Sequence, residues 1–337
     1  MGYKSLNRLL QFAALSLLLQ ACGGDDRTID PPSETQPIQP RIELTATPDF
    51  NGDSALAFVQ KQVDFGPRVP NTAAHKACAR WLTAELERFG LETIVQEATV
   101  TAYNNERLDI YNIMGRYRPE APRRILLMAH WDTRPYADRG TEKKNHPIDG
   151  ANDGGSGVGV LLELARVIHA DSLSPEIGFD ILFFDAEDYG KPESSMIGKS
   201  NDSWCLGSQY WANNIPIEAY EPEYGILLDM VGASDAVFPK EGVSVYYAPN
   251  VVEKVWSIAQ AMGHRGYFSV MNGNPLTDDH VYVNKIAKIP TIDIIHYDVL
   301  RSDFGPFHHT HDDNMEIIDK GTLKVVGDVV LQVIFQE

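Results

Sequence analysis

The sequence predicts an α/β domain in which helices cover both faces of a central sheet. Four short apolar runs have the character of fully buried strands, which is typical of a parallel sheet enclosed by helices. Segments with helical periodicity alternate with these runs along the chain. The chain of 337 residues, 43% of them apolar, is long enough to enclose one sizeable core.

The elements follow from periodicity and stop signals. The clearest helix has Ala77, Trp81 and Leu86 at helical spacing and is followed by Gly90. In chain order we predict a helix over Ser54–Val63, a helix over Ala73–Phe89, paired outer strands over Thr93–Thr101 and Asp109–Arg116, a buried strand over Arg124–Ala129, a helix over Gly157–His169, buried strands over Phe179–Phe184, Gly225–Met230 and Thr291–His296, and a helix over Ile317–Phe335.

The N-terminus has the features of an export signal. Lys4 and Arg8 precede an apolar run over 9–19, which is too short to span a bilayer as a stable helix. The run ends in Leu-Gln-Ala before Cys22, a pattern that resembles a bacterial lipobox. Residues 1–21 are therefore predicted to be a lipoprotein signal peptide, with a lipid anchor on Cys22. The alternative is a plain secretory signal with an incidental cysteine.

Residues 22–48 are predicted to be a flexible tether because they are rich in proline and polar residues and lack an apolar pattern. Residues 49–337 then form the catalytic domain. We expect a monomer that is exported and lipid-anchored to a bacterial membrane, facing the periplasm or the cell surface. The net charge of −18 argues against nucleic acid as a partner. Cys78 and Cys205 can form a disulfide or remain as two buried thiols.

Acidic residues and histidines follow each predicted buried strand. The carboxyl ends of parallel strands are where open α/β sheets bind ligands. Several carboxylates at one sheet edge repel each other by roughly 4 kcal/mol per pair at about 4 Å, and a bound cation removes that cost. Oxygen and imidazole ligands without thiolate suit zinc. The residues concerned are His130, Asp132, Asp153, Glu187, Asp188, Asp229 and the run His308–Asp313.

The order of these motifs resembles the zinc-dependent exopeptidases of metallopeptidase family 28, and within that family the glutaminyl cyclases. The likeness covers about residues 50–337. The motifs that carry it are Ala129-His130-Trp131-Asp132, Gly150-Ala151-Asn152-Asp153-Gly154-Gly155-Ser156-Gly157, Phe183-Phe184-Asp185-Ala186-Glu187-Asp188, Leu228-Asp229-Met230-Val231-Gly232, Asp278-Asp279-His280 and His309-Thr310-His311-Asp312-Asp313-Asn314.

The resemblance implies a three-layer α/β sandwich around a mixed, mostly parallel sheet with helices on both faces. It also implies a role for each matching residue. Asp153, Asp188 and His309 take the positions of zinc ligands, with Asp188 where relatives usually carry glutamate. Glu187 takes the position of the general acid/base. Asp229 and Asp279 match carboxylates that the cyclases place in a hydrogen-bond network with that glutamate. Animal cyclases carry a tryptophan where this chain has His308, and an additional active-site histidine where it has Asp293.

The implied reaction is the cyclisation of N-terminal glutamine of peptides or exported proteins to pyroglutamate, with release of ammonia. One zinc ion is expected to polarise the γ-carbonyl group while Glu187 transfers the proton. Trp131, Trp204, Phe304 and Phe307 are candidates for the pocket walls. The main alternative is a zinc-dependent aminopeptidase with two metals, the second one bound by His130 and Asp229.

Overall fold

In the computed structural model, the described residues are 42–192, 195 and 202–337. The predicted signal peptide and residues 22–41 of the predicted tether lie outside them. Residues 42–48, the end of that tether, run along the domain: Ile42 packs against the main core, and the carbonyl of Glu43 accepts a hydrogen bond from Gln336. No helix within the described ranges is long and apolar enough to cross a membrane.

The central sheet has six strands in the order β1-β2-β4-β3-β5-β8 within the described part of the chain. Strands β4, β3, β5 and β8 are parallel, and β2 pairs antiparallel with both β1 and β4. A separate parallel pair joins β6 and β7. The strands are β1 (Glu92–Thr101), β2 (Arg107–Tyr117), β3 (Arg124–His130), β4 (Gly178–Phe184), β5 (Gly225–Asp229), β6 (Phe238–Lys240), β7 (Phe268–Asn272) and β8 (Thr291–Ile295).

Helices cover both faces of this sheet. The α-helices are α1 (Gly52–Val63), α2 (Ala73–Arg88), α3 (Gly155–Ala170), α4 (Leu206–Asn213), α5 (Gly242–Tyr247), α6 (Pro249–Ala261), α7 (Asp279–Tyr282) and α8 (Lys320–Phe335). A π-helical turn over Val283–Ala287 follows α7, and a 3₁₀ turn over Met315–Ile317 precedes α8.

The buried strands divide their side chains between two cores. In β3, Ile125 and Leu127 pack into the larger core, which contains residues of α1, α2, α3, α6 and α8. Leu126 and Met128 point the other way, into a smaller core that includes Trp211 of α4. Successive side chains of a strand alternate between faces, so a fully apolar run indicates a sheet covered on both sides. The predicted three-layer α/β architecture is confirmed.

The predicted elements are found with small shifts in their ends. The last helix begins at Lys320 rather than Ile317, because Asp319 caps it by accepting the backbone N–H of Thr322. Strand β2 is not an outer strand, since it lies between β1 and β4. The periodicity of the sequence did not predict α4, α5, α6, α7, β6 and β7. Most of these elements are short or partly exposed, so they carry little periodic pattern.

Gly157 allows α3 to lie close to the sheet. A Cβ atom at this position would lie 2.9 Å from the Cβ of Ala129 and would overlap the carbonyl of Leu228. We therefore expect Gly157→Ala to lower the free energy of unfolding by about 1–3 kcal/mol. Gly266→Ala is the matched control, because a Cβ there has no atom within 4 Å among the described residues. Denaturant unfolding of both variants checks this, and equal stabilities would contradict it.

Candidate active site

The carboxyl ends of the parallel strands bring the predicted chemistry to one edge of the sheet. His130 is the last residue of β3, and Asp229 is the last residue of β5. Glu187 and Asp188 follow β4, while Asp153 lies in the loop just before α3. These residues come from distant parts of the sequence, and the sheet topology is what makes them neighbours.

The three predicted metal ligands approach one another through a shared imidazole. The Nε2 atom of His309 lies 3.1 Å from Oδ1 of Asp188 and 3.7 Å from Oδ2 of Asp153. Two ligands of a tetrahedral zinc ion, each at about 2.0–2.1 Å from the metal, are about 3.3 Å apart. Each of these two distances therefore suits a pair of atoms bound to one divalent ion.

The other oxygen of Asp153 faces a second group of donors. Its Oδ1 lies 3.0 Å from Nε2 of His130, and the same nitrogen lies 3.2 Å from Oδ1 of Asp229. The three donor atoms lie within 4.8 Å of one another. Asp153 therefore stands between two positions that could each hold a cation.

The electrostatics of the site fit a bound cation. Burial raises the pKa of Asp188 well above its usual range, and the neighbouring charge of Asp153 adds to this effect. Burial also raises the pKa of Asp229. By contrast, burial lowers the pKa of His309 to about 3, aided by the charge of Arg134, so its imidazole is neutral and able to ligate. Oδ2 of Asp188 is buried without a hydrogen-bond partner in the described structure. A metal ion would compensate these buried acceptors.

Two further carboxylates hold the backbone of the ligand loops. Asp132 accepts the N–H groups of Glu187 and Asp188 at 3.0 and 3.2 Å. Asp313 accepts the N–H group of Asp153 at 3.1 Å and that of the preceding Asn152 at 2.7 Å. Both are completely buried. Both residues lie in the sequence motifs, but neither was predicted to accept backbone N–H groups of the ligand loops. The position of Asp132 at the end of a strand was the signal in the sequence that could have indicated its role.

Aromatic and cationic side chains contact two of the proposed ligands, Asp188 and His309. Arg134 donates to the carbonyl of Asp188 at 2.9 Å, and its guanidinium lies 4.5 Å from the ring centroid of Trp204. The indole of Trp204 in turn stacks on His309, with centroids 5.7 Å apart and an interplanar angle of 9°. His308 adds a donor atom that the sequence analysis did not assign, with Nε2 4.0 Å from Oδ2 of Asp153.

The carboxylate that accompanies Glu187 is that of Asp278. Donor atoms of Glu187, Asp278 and Cys205 lie within 4.8 Å of one another. Burial raises the pKa of Asp278 to about 7, and the charge of Asp229 is the next cause. Asp279, which was predicted for this position, is buried in α7 beside Ser208. Among the described residues, Asp278 lines the cavity and Asp279 does not. Asp278, rather than Asp279, therefore has a donor atom in the group that contains Glu187.

Burial and neighbouring charge also act on Glu187. Burial raises its pKa well above the usual range, and the negative charges of Asp278 and Asp188 raise it further, although the charge of His130 opposes them. A carboxyl group whose pKa is raised in this way is suited to accept and release a proton during catalysis.

A cavity of about 890 Å³ opens over these groups. Trp204 and Phe304 line it, as predicted. Trp131 does not, because its ring is fully buried and stacks on His75 at 4.5 Å. Phe307 is buried against His296 instead of lining the cavity. The remaining described lining includes Arg134, Asp138, Arg139, Asp153, Glu187, Asp229, Met230, Pro275, Leu276, Thr277, Asp278, Ile295, Ser302, Asp303, His308 and His309.

The two cysteines of the domain, Cys78 and Cys205, are free, buried thiols. Cys78 belongs to the large core, whereas Cys205 belongs to a small cluster near Tyr282. Of the two alternatives left open by the sequence, the separate thiols are therefore the one found.

Comparison with known proteins places this geometry in a family. The chain is 26% identical to aminopeptidase YwaD of Bacillus subtilis over 295 residues, which cover 85% of the chain but only 57% of that protein. It is 23% identical to the glutaminyl-peptide cyclotransferase of Bos taurus, over 78% of the chain and 76% of that enzyme.

Solved structures are more similar. The Tannerella forsythia glutaminyl cyclase is 54% identical, with a TM-score of 0.83 over 86% of this chain and 100% of that one. A Zn-dependent exopeptidase from Parabacteroides distasonis is 53% identical, with a TM-score of 0.84 over 87% of this chain and 100% of that one.

The family model described as Peptidase family M28 matches residues 112–334, which is more than half of the chain. The fold, the strand-end carboxylates and the histidine after β8 agree with that match, and the family implies a bound metal. The protein therefore belongs to peptidase family M28.

Proposed function

We propose that the protein cyclises the N-terminal glutamine of peptides or proteins to pyroglutamate and releases ammonia. The observation that carries the proposal is the buried row of carboxylates formed by Glu187, Asp278 and Asp229 beside the proposed metal position. The Tannerella forsythia glutaminyl cyclase, at 54% identity, supports it.

Asp153, Asp188 and His309 would hold one zinc ion, whose donor set of carboxylates and imidazole suits that metal. When bound, zinc would supply Lewis-acid polarisation of the γ-carbonyl oxygen. Asp132 and Asp313 keep the ligand loops in place by accepting their backbone N–H groups.

Glu187 transfers the proton that cyclisation requires. The α-amine of glutamine forms a bond to its own γ-carbonyl carbon, and the bond from that carbon to the amide nitrogen breaks. Glu187 accepts a proton from the attacking amine and gives it to the leaving nitrogen, so that ammonia departs. Its raised pKa, caused by burial and by the neighbouring carboxylates, suits both steps.

The cavity supports this reaction by holding the side chain curled over the amine. Ring closure needs no water, so excluding water favours cyclisation over hydrolysis. Trp204 and Phe304 provide apolar walls for such a pocket.

We also propose that the enzyme acts outside the cytoplasm, as a monomer held to a bacterial membrane through lipid on Cys22. The apolar run over 9–19 and the small residue before Cys22 support this proposal. Its substrates would then be exported peptides and proteins.

An aminopeptidase with two metals is the second candidate. The donor group of His130, Asp153 and Asp229 favours it, because these atoms offer a second cation position next to the first. In that enzyme the bound metals would supply Lewis-acid polarisation, and Glu187 would act as the base toward the water that attacks the first peptide bond. Zinc content near one ion per chain would support the cyclase, and near two the peptidase.

A substrate pair tests the function. We expect purified protein to convert a peptide with N-terminal glutamine into a product lighter by one NH₃, with ammonia in equal amount. A matched peptide with N-terminal leucine should remain intact. Release of free leucine without cyclisation of glutamine would contradict the proposal and favour the aminopeptidase. Mass spectrometry of both reactions decides between them.

Glu187→Gln should lower kcat by about 10²- to 10⁴-fold, since it removes the group that transfers the proton. Zinc content and thermal unfolding should be unchanged, because Glu187 is not among the proposed ligands. Unchanged turnover would remove Glu187 from the assigned role.

Asp188→Ala should weaken zinc binding by at least about tenfold. For the unaltered protein, zinc affinity should rise with pH, because carboxyl groups with raised pKa must release protons before they bind metal. Asp303→Ala is the control, since Asp303 lines the cavity but pairs with Arg139. Titration calorimetry measures both effects, and a fully metallated Asp188→Ala variant would show that other residues hold the ion.

Asp278→Asn should lower kcat about tenfold or more, because it removes a negative charge beside Glu187. Asp279→Asn, one residue further along, should have a smaller effect, since that side chain lies away from the cavity. Steady-state kinetics on the glutamine peptide, with thermal unfolding as a check on folding, compares the pair. A larger loss for Asp279→Asn would restore the original assignment.

A further inference from the structure

The thiol of Cys205 is hydrogen-bonded to the side chain proposed as the general acid/base. Its Sγ atom lies 3.1 Å from Oε1 of Glu187 and donates to it. The cysteine side chain is completely buried. Burial raises the pKa of the thiol well above its usual range, and the charge of Glu187 acts in the same direction, so the sulfur keeps its proton.

We propose that Cys205 is a positioning residue for the reaction. It fixes one oxygen of Glu187 and thereby leaves the other oxygen aimed at the substrate. This proposal rests on the proposed function, in which Glu187 transfers the proton.

The backbone of the same residue is tied to the same glutamate. The N–H of Cys205 donates to the carbonyl of Glu187 at 2.9 Å, and the N–H of Leu206 donates to the carbonyl of Ala186 at 3.0 Å. These two bonds pair the segment that carries the glutamate with the start of α4. Movement of either segment would therefore move the acid/base group.

Both paired segments contain a residue in the left-handed region. Ala186 has a φ of 51° and Cys205 has a φ of 57°. Glycine or asparagine adopts this conformation at lower cost than cysteine does. A cysteine at such a position indicates that its side chain contributes something that glycine would lack, and the bond to Glu187 is that contribution.

A thiol suits this task because it is a weak hydrogen-bond donor. It can orient a carboxylate without stabilising the negative charge as strongly as a hydroxyl group would. The neighbouring Trp204 stacks on His309, so consecutive residues contact the acid/base and a proposed metal ligand. One short segment thus sets the relative position of both.

The test compares Cys205→Ala and Cys205→Ser in the full-length zinc enzyme, with the glutamine peptide as substrate. The alanine variant should lose about three- to tenfold in kcat, with KM and zinc content unchanged, because one hydrogen bond is lost. Serine restores a donor and should recover part of kcat, because its hydroxyl group stabilises the negative charge of Glu187 more strongly than the thiol does. Cys78→Ala is the matched control, since that buried thiol lies in the large core, and its kcat should not change.

A double-mutant cycle tests whether Cys205 affects kcat through Glu187. In the Glu187→Gln background, Cys205→Ala should cause almost no further loss, because the two residues act as a unit. Equal losses in both backgrounds, or an unchanged kcat in the alanine variant, would overturn the positioning role. Loss of zinc from the alanine variant would also overturn it, since the thiol would then be a ligand.

Failure of the proposed function has a different signature. In that case the unaltered enzyme would not cyclise glutamine at all, whereas failure of this inference leaves the unaltered enzyme active and the cysteine variants equal to it.

Discussion

Buried negative charge at one edge of the sheet is the constraint on which the site depends. Asp153, Glu187, Asp188, Asp229 and Asp278 are all buried there. Each like-charge pair at about 4 Å costs roughly 4 kcal/mol at an effective dielectric constant near 20. The protein can meet this cost by binding cations or by retaining protons. The proposed enzyme uses both: a metal for Asp153 and Asp188, and a shared proton for the carboxylates around Glu187.

The rest of the architecture keeps these groups from moving apart. Parallel strands bring their carboxyl ends to one edge, and Gly157 lets α3 approach that edge closely. Asp132 and Asp313 then fix the loops through backbone N–H groups rather than through the side chains that react. His309 has a left-handed backbone conformation, with a φ of 55°. A non-glycine residue keeps this conformation only where the surrounding structure holds it in place. The residues that hold these loops are therefore separate from the atoms proposed to react.

Much of this was predictable from sequence because strand burial and strand-end chemistry are local signals. The apolar run over 124–129 predicted a central strand, and the position of His130 directly after it predicted an edge residue. The choice between Asp278 and Asp279 was not predictable, since adjacent residues at the start of a short helix differ only in direction. Trp131 directly follows β3 and was therefore predicted to line the pocket, but its ring is buried in the core.

Contacts between distant segments were the hardest features to predict from the sequence. Nothing around Cys205 in the sequence indicates that its thiol meets Glu187, because the two residues are 18 positions apart and only the folded chain brings them together. The short elements α5, β6 and β7 carry too few residues for a periodic pattern. Motifs locate the chemical groups, whereas the residues that orient those groups emerge only from the folded chain.

Anomalous X-ray diffraction at the zinc absorption edge, from crystals of the zinc-loaded protein, tests the central claim most directly. We expect one dominant peak about 2.0–2.2 Å from atoms of Asp153, Asp188 and His309. A dominant peak bonded to His130 and Asp229 instead, or the absence of any peak within bonding distance of those three ligands, would contradict it.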